Sequence, residues 1–299
     1  MNRVAALLFI VFAFSIPGVN QNTPRIKPSA SAVADLPMLF RGPEPAVEVM
    51  VNGQGPFLFA IDTGATDEAR VDSSLVERLG LHISGTSTHS DGSNKKVRLG
   101  TVRLDSLSIG GLEFRNVKAD TRDYNHSNLP HISGILAFDL FHDYLLTLDY
   151  PARRVRLERG ELPTVDGGEI LPLKKVHHHP AAELTIGDQK ADTEIDSGNV
   201  VHSFVFPASL VERLSLATTP ATIGKARTIT NEFEIMEVQL KNNIRLGKYE
   251  FTQPLISFPA PFPFANMGSK FLNQFAITFD QKNNRVRFVR PDSPSHASF

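Results

Sequence analysis

The chain has 299 residues, 41% of them hydrophobic, and a formal net charge of −1. This size allows two globular domains with ordinary cores, while the near-zero charge provides no basic field for nucleic acid and no acidic excess typical of disorder. The lack of cysteine excludes disulfides, thiol catalysis and thiolate metal ligands.

The chain begins with an apolar segment that predicts export. One Arg precedes an apolar run from Val4 to Ile16, which Pro17 and Gly18 end. This length is typical of a secretory signal and shorter than the roughly 20 residues of a membrane span. We therefore expect residues 1–20 to be a signal peptide, cleaved near Gly18 or at the Ala30-Ser31-Ala32 triplet, and the protein to be periplasmic or extracellular. The alternative is an uncleaved membrane anchor.

Residues 21–36 are small, polar and proline-containing, and predict a flexible linker. An internal repeat then organises the chain, because Leu75–Leu79 (LVERL) recurs as Leu210–Leu214 and Pro45–Val51 (PAVEVMV) resembles Pro180–Ile186 (PAAELTI). The repeat predicts a tandem duplication with two lobes, at 37–162 and 163–290, followed by a tail at 291–299.

Each copy reads mainly as strand. Val47–Val51 has Val at every second position, the alternation typical of a strand, and the turn signal NGQGP follows. Phe57–Ile61 is then a continuous apolar run typical of a buried strand. Each copy then has a helical pattern, SSLVERLGL and ASLVERLSL, which Ser74 or Ser209 could cap. These patterns predict an all-β chain with short helices.

Both apolar strands end in Asp, a small hydroxyl residue and Gly, at Asp62-Thr63-Gly64 and Asp196-Ser197-Gly198. A carboxylate at the end of a buried strand costs desolvation energy unless it is paired or hydrogen-bonded. If the two copies associate around a pseudo-two-fold axis, the carboxyl groups can meet and share one proton. The glycines would let the loops approach closely, and the hydroxyls would bridge to the opposite loop.

These motifs resemble those of bacterial retropepsin-like aspartyl proteases with two fused lobes, which are related in plan to the pepsin-like proteins. Asp62–Ala65 matches the family signature fully and Asp196–Gly198 matches it up to the last residue. Ile135-Leu136-Ala137 and Asn266-Met267-Gly268 correspond to the family's element of two hydrophobic residues and Gly. The resemblance covers residues 45–290 and implies a bilobal acid-protease-like fold, with two duplicated β-barrel-like lobes around a pseudo-two-fold axis.

The chain departs from the family pattern at a few positions. Ala137 stands where Gly is usual, and Asn199 and Val200 replace small or hydroxyl residues. In the family, a hydroxyl at that position donates to the outer carboxylate oxygen, which Ala65 cannot do. We expect the Asn199 amide to take this role and therefore predict that Asp196 ionises more readily than Asp62.

The resemblance implies an aspartic endopeptidase that hydrolyses peptide bonds with a water held between Asp62 and Asp196, as a monomer without metal or cofactor. Its substrate would be a polypeptide in extended conformation, covered by a flap for which residues 84–98 are the candidate, with the turn at His89-Ser90-Asp91-Gly92. The lobe-two counterpart at 218–230 is shorter. The alternative is a non-catalytic peptide-binding module that keeps the two-lobed fold.

Several polar residues near these motifs do not predict a site. His177, His178 and His179 invite a metal interpretation, but adjacent side chains on an extended segment point to alternate faces, so a solvated strand or linker is favoured. Asp67, Glu68 and His202 are expected on loop surfaces. The segment FPAPFPF at 258–264 reads either as an apolar rim or as a stiff loop.

Overall fold

A computed structural model describes residues 32–42, 44–89, 96–124, 131–200, 202–227, 232–259 and 263–291. The predicted signal peptide, the Ser90-Asp91-Gly92 turn and residues 292–299 lie outside this part of the chain. Within it the protein is mostly β-strand with three short α-helices, which confirms the predicted all-β, protease-like fold class. No helix of the described ranges is long and apolar enough to cross a membrane.

The first half of the described chain is built from eleven strands, one α-helix and one 3₁₀ helix. They are β1 (Ala32–Pro37), β2 (Leu39–Arg41), β3 (Glu44–Val51), β4 (Gln54–Asp62), β5 (Ala69–Asp72), α1 (Ser73–Leu79), β6 (Ile83–His89), β7 (Val97–Ile109), β8 (Leu112–Arg122), β9 (Gly134–Ala137), the 3₁₀ helix (Phe138–Phe141), β10 (Leu145–Asp149) and β11 (Arg154–Glu158).

The second half of the described chain follows a similar order with thirteen strands and two α-helices. Its elements are β12 (Ile170–Pro172), β13 (Lys174–Val176), β14 (His179–Ile186), β15 (Gln189–Asp196), β16 (Phe204–Val205), α2 (Ala208–Val211), β17 (Ala221–Arg227), β18 (Glu232–Gln239), β19 (Ile244–Leu246), β20 (Tyr249–Phe251), β21 (Leu255–Pro259), β22 (Ala265–Gly268), α3 (Ser269–Leu272), β23 (Ala276–Asp280) and β24 (Arg285–Val289).

Each half has its own curled sheet, and corresponding strands occupy corresponding places in the two sheets. In the first, β4 pairs with β3 on one side and runs parallel to β9 on the other. In the second, β15 pairs with β14 and runs parallel to β22 in the same way. The strands that end in Asp62 and Asp196 are therefore central strands, each held on both sides by backbone hydrogen bonds.

A third sheet contains strands from both halves, in the order β1-β11-β10-β23-β24-β12. Thr147 on β10 lies opposite Thr278 on β23, and their hydroxyl oxygens are 2.9 Å apart. Beside this junction the rings of Phe138 and Phe279 pack edge to face, with centroids 5.2 Å apart. One continuous core of buried apolar side chains thus extends through both halves.

The structure corrects the end of the predicted linker. Residues 32–36 belong to β1, an antiparallel partner of β11 in which Leu36 lies opposite Val155. Ala34 is buried, and the Arg154 guanidinium donates to Asp35 Oδ1 over 2.8 Å. Small residues that read as linker in isolation form a strand here because a partner strand provides hydrogen bonds and an apolar surface.

The predicted helix caps are also corrected. The N-cap of α1 is Asp72, whose Oδ1 accepts a hydrogen bond from the Ser74 backbone N–H over 3.0 Å, and Gly80 ends the helix in a left-handed conformation. In the second copy Pro207 stands at the N-cap with no side-chain acceptor, and α2 has only four residues. Neither Ser74 nor Ser209 is therefore the N-cap residue.

Candidate active site

The two Asp-hydroxyl-Gly triplets stand at the ends of β4 and β15. Phe57, Phe59 and Ile61 are buried on β4 and fix its position, and Asp62 follows as its last residue. Asp62 lies opposite Ala137 on β9, and Asp196 lies opposite Gly268 on β22. Each half therefore has the element that the resemblance predicts next to its triplet, residues 135–137 on β9 and residues 266–268 on β22.

Thr63 and Ser197 join the two loops through reciprocal hydrogen bonds. Thr63 Oγ1 donates to the Ile195 carbonyl over 2.6 Å and accepts from the Ser197 backbone N–H over 3.0 Å. Ser197 Oγ donates to the Ile61 carbonyl over 2.7 Å and accepts from the Thr63 N–H over 2.9 Å. Both side chains are fully buried, so each hydroxyl satisfies polar groups of the other loop that would otherwise be unpaired.

Gly64 and Gly198 bring each loop against the carboxyl group of the other. A Cβ atom at Gly64 would lie 2.5 Å from Asp196 Cγ, and one at Gly198 would lie 2.4 Å from Asp62 Cγ. Both distances are too short for any side chain. Glycine is therefore required at both positions by close approach to the opposite Asp.

Asp62 and Asp196 form a pair of half-buried carboxyl groups, each lying against the glycine of the opposite loop. Burial and the nearby Asp196 charge raise the pKa of Asp62 above the usual carboxyl range. Burial also raises the pKa of Asp196, against hydrogen bonds from Asn266, Gly198 and Asn199 that lower it. Two carboxyl groups in contact resist double ionisation, so the pair holds one proton over a broad pH range.

The donor to the outer oxygen of Asp196 is Asn266, which corrects the role expected of the Asn199 amide. Asn266 Nδ2 donates to Asp196 Oδ2 over 2.7 Å. The Asn199 side-chain amide instead donates to Asn266 Oδ1 over 2.8 Å, while its backbone N–H donates to Asp196 Oδ1 over 3.0 Å. Asn199 thus holds the Asn266 amide in the orientation that serves Asp196.

The substitution of Ala137 for Gly is accommodated locally. Ala137 is fully buried, and its N–H donates to the Glu68 carbonyl over 3.0 Å. At Gly268, its counterpart, a Cβ atom would lie 2.3 Å from the His202 carbonyl oxygen. Only the second copy therefore requires glycine at this position.

The side chains beside the two aspartates differ in kind between the halves. In the first half Ala60, Ile135 and Arg70 lie side by side across β4, β9 and β5. In the second half the same places on β15, β22 and β16 hold Glu194, Asn266 and Val205. We call these sets of three the lobe-one row and the lobe-two row. The lobe-one row carries a cation and the lobe-two row an acid.

Glu194 is a third carboxyl group close to the pair. Its side chain is 4% exposed, and Asn266 Nδ2, the donor to Asp196, is also 3.4 Å from Glu194 Oε2. Burial, with a further contribution from the Asp196 charge, raises the pKa of Glu194 to about 8. Its Oε1 lies 3.7 Å from His179 Nδ1, and neither atom has a hydrogen-bond partner. Burial lowers the pKa of His179, so this contact joins a neutral acid and a neutral imidazole near pH 7.

Arg70 is the cation on the other side of the pair. Burial opposes its charge, but Tyr124, Asp62 and Asp120 outweigh burial and raise its pKa. Its positive charge in turn lowers the pKa of Asp62, which limits the increase caused by burial and Asp196. Arg70 thus helps to keep an ionised form of the pair accessible.

Sequence reasoning missed Glu194, Asn266 and Arg70 as neighbours of the pair. The signal was present in the repeat, because alignment of the two copies places a Glu and an Asn opposite Ala60 and Ile135 in otherwise apolar strands. A charged residue inside such a strand is costly unless it serves a site.

The flap candidate is described only in part. β6 and β7 form an antiparallel hairpin in which His89 lies opposite Val97, and residues 90–95 between them lie outside the described residues. In the second half, β17 and β18 form the corresponding hairpin. His89 Nε2 lies 2.6 Å from Asp120 Oδ2.

The three consecutive histidines occupy a hairpin turn. His177 and His178 connect β13 to β14 with positive φ angles of 51° and 74°, and His179 begins β14. His177 packs on Phe264, with ring centroids 4.1 Å apart. In the described part of the chain these imidazoles do not converge on a common point.

Comparison with known proteins gives a family match for part of the first half of the chain. The model of the aspartyl protease family, which belongs to the retropepsin-like group, matches residues 47–140. The match includes Asp62, Thr63 and Gly64 and ends within the 3₁₀ helix. No curated protein matches the chain. The match supports an aspartic protease function in general terms.

Proposed function

We propose that the protein is an aspartic endopeptidase that hydrolyses peptide bonds by means of a water activated between Asp62 and Asp196. The observation that carries this proposal is the reciprocal placement of the two loops, in which each Asp contacts the glycine of the other loop. Such a pair can accept one proton and donate another in the same turnover. No covalent intermediate is needed.

The asymmetry of the site supports an assignment of roles within the pair. Asp196 accepts hydrogen bonds from Asn266 Nδ2 and from the N–H groups of Gly198 and Asn199. Asp62 accepts a hydrogen bond from the Gly64 N–H. More donors favour the charged form, so Asp196 would take the proton of the attacking water, and protonated Asp62 would donate to the carbonyl oxygen.

A substrate would bind as an extended strand, with residues 84–98 as the flap. The arrangement needs no second copy, because one chain contributes both aspartates. The protein would act as a monomer, exported by the apolar segment at residues 1–20. Cell fractionation of the full chain, followed by determination of the mature N-terminus, tests export. Retention of the intact segment in the membrane fraction would support the anchor instead.

Cleavage of an unbiased peptide library at several pH values tests the activity. Asp62→Asn and Asp196→Asn are each expected to abolish cleavage, while Asp188→Asn, an exposed aspartate in the β14–β15 turn, retains it. Cleavage activity that survives either Asp62→Asn or Asp196→Asn would overturn the mechanism. A wild type that binds peptides without cleaving them would favour the non-catalytic module.

A further inference from the structure

Outside the carboxyl pair, three ligand-type side chains converge from separate elements. They are Asp67, in the loop after Gly64, His89, at the end of β6, and Asp120, on β8. His89 Nε2 lies 2.6 Å from Asp120 Oδ2 and 3.9 Å from Asp67 Oδ2. All three ligand atoms lie within 4.8 Å of one another.

Asp120 is the buried member of this cluster, and one of its oxygens lacks a donor. Its side chain is 1% exposed, and its Oδ1 accepts a hydrogen bond from Ser87 Oγ over 2.6 Å. Its Oδ2 has no hydrogen bond despite the short contact with His89, whose Nε2 is hydrogen-bonded to Ser87 Oγ at 3.0 Å. A buried carboxylate oxygen without a donor is costly unless a cation neutralises it.

The charges that surround the cluster leave room for such a cation. Two carboxylates, Asp67 and Asp120, face one imidazole. The fixed cation that interacts with Asp120 is Arg70, which is shared with Asp62 and Tyr124 and therefore compensates Asp120 only in part. Asp67 is 37% exposed and His89 is 13% exposed, so the cluster is open to solvent from the Asp67 side.

We propose that Asp67, His89 and Asp120 form a zinc site, with water as the fourth ligand. Zinc accepts one imidazole and two carboxylates, whereas Mg²⁺ and Ca²⁺ prefer six or more oxygen ligands. Tetrahedral bonds of about 2.1 Å require ligand atoms roughly 3.4 Å apart. The 2.6 Å and 3.9 Å separations in the structure bracket this value.

A bound ion would connect three elements of the first half of the chain. It would tie β6 and β8 to the loop that also carries Asp62. The resemblance implies a mechanism without metal, and residues 67, 89 and 120 lack the close spacing of a recognisable metal motif. Only the pairing of β6 with β7 and of β7 with β8 brings His89 and Asp120 together.

Zinc titration of the full chain by calorimetry at pH 7 tests the proposal, with Co²⁺ absorption as a readout of tetrahedral geometry. The wild type is expected to bind one Zn²⁺ and to gain thermal stability in its presence. His89→Ala and Asp67→Asn should each weaken binding at least about tenfold and abolish the Co²⁺ bands. Asp67→Asn changes a partly exposed side chain, so it keeps the test valid if His89→Ala fails to fold.

Two control variants test whether histidines outside the cluster bind the metal. His142→Ala alters an exposed His–Asp contact, in which His142 Nδ1 lies 3.6 Å from Asp143 Oδ1, and should leave binding unchanged. The double substitution of His177 and His178 by Ala should also leave it unchanged. No saturable binding by the wild type, or equal binding by the Asp67 variant, would refute the site. Loss of binding in the His177 and His178 variant would transfer it to the hairpin turn and overturn the proposal.

Discussion

Asn266 makes the two aspartates chemically unequal. Its amide donates to Asp196 Oδ2, whereas Ile135, its counterpart in the lobe-one row, offers no polar group. A hydrogen bond to a carboxylate stabilises its charged form. The first proton to leave the pair is therefore expected to leave Asp196.

Replacement of Asn266 by Leu tests this inequality. Without the donor the pKa of Asp196 should increase, so the acidic limb of the pH dependence of kcat/KM should move to higher pH by roughly one unit. Ile135→Leu, the matched change in the other half, should leave that limb in place. An unchanged limb in the Asn266 variant would show that the amide does not control the ionisation of Asp196.

Glu194→Gln tests the third carboxyl group through stability. The folded state raises the pKa of Glu194 from 4.5 to about 8. Because the folded protein then holds this proton more tightly than the unfolded chain, the stabilisation is complete below pH 4.5 and is lost as pH rises towards 8. The loss is at most about 1.4 kcal/mol per pH unit for one proton.

Glutamine cannot ionise, so the variant should gain stability relative to the wild type between pH 5 and pH 8 in urea unfolding experiments. The matched control is Glu183→Gln on β14, where a hydrogen bond from Lys190 lowers the pKa. The contact of Glu183 with Lys190 stabilises the folded protein at pH values above the unfolded-state pKa of this carboxyl group, and the stabilisation is lost as pH falls. Its removal therefore gives no gain in stability at pH 8. If the free energy of unfolding depends on pH in the same way for the wild type and for Glu194→Gln, then Glu194 is ionised throughout this range.

The sequence was sufficient to predict the carboxyl pair but not the groups that tune it. The triplets could be found because Asp, a hydroxyl and Gly recur at equivalent positions, and each has its own chemical requirement. Glu194 lies two residues before Asp196, yet its proximity to Asn266 and His179 depends on strand pairing across distant parts of the chain. Such contacts depend on register, which a single sequence does not specify.

At the scale of elements, the two loops that carry the Asp-hydroxyl-Gly triplets hold each other in place through side-chain to backbone hydrogen bonds. Thr63 Oγ1 uses both its donor and its acceptor capacity on the opposite loop. Ser269, at the start of α3, adds a hydrogen bond from its hydroxyl to the Ser197 carbonyl over 2.6 Å. The position of each aspartate thus depends on the loop that carries the other.

Thr63→Val removes this hydroxyl at nearly constant volume. It leaves the buried Ile195 carbonyl and Ser197 N–H without their partner, so we expect a loss of about 2–4 kcal/mol in the free energy of unfolding. Activity should also decrease. Thr147→Val, whose hydroxyl contacts only the Thr278 hydroxyl among the described hydrogen bonds, should cost about 1 kcal/mol. Equal costs for the two variants would contradict an interlocking role for Thr63.

The helices α1 and α2 show how strongly the local sequence determines the length of a helix. Both copies contain LVERL, but α1 extends over seven residues and α2 over four. The first copy has Asp72 before the helix and Gly80 after it, whereas the second has Pro207 and Ser215 in those places. The repeated pentapeptide predicted both helices, and the differing caps account for their lengths.

At the scale of the whole molecule, the sheet that joins β10 to β23 makes the halves interdependent. Their contact combines a strand ladder, the Thr147–Thr278 pair and the packing of Phe138 on Phe279. We expect unfolding in one cooperative transition. Hydrogen exchange followed by mass spectrometry should give the same opening free energy for β4 and for β15. Loss of protection in one half before the other would show that the lobes unfold separately.

The difference between the lobe-one row and the lobe-two row limits which pairs of halves could assemble the site. A symmetric dimer of the first half would place two Arg70 cations beside two Asp62 groups and would lack the Glu194 acid. A symmetric dimer of the second half would crowd two Glu194 and two Asp196 carboxyls with no arginine to offset them. Neither half paired with a copy of itself would reproduce the present surroundings of the carboxyl pair, so the proposed activity requires both unlike halves in one chain.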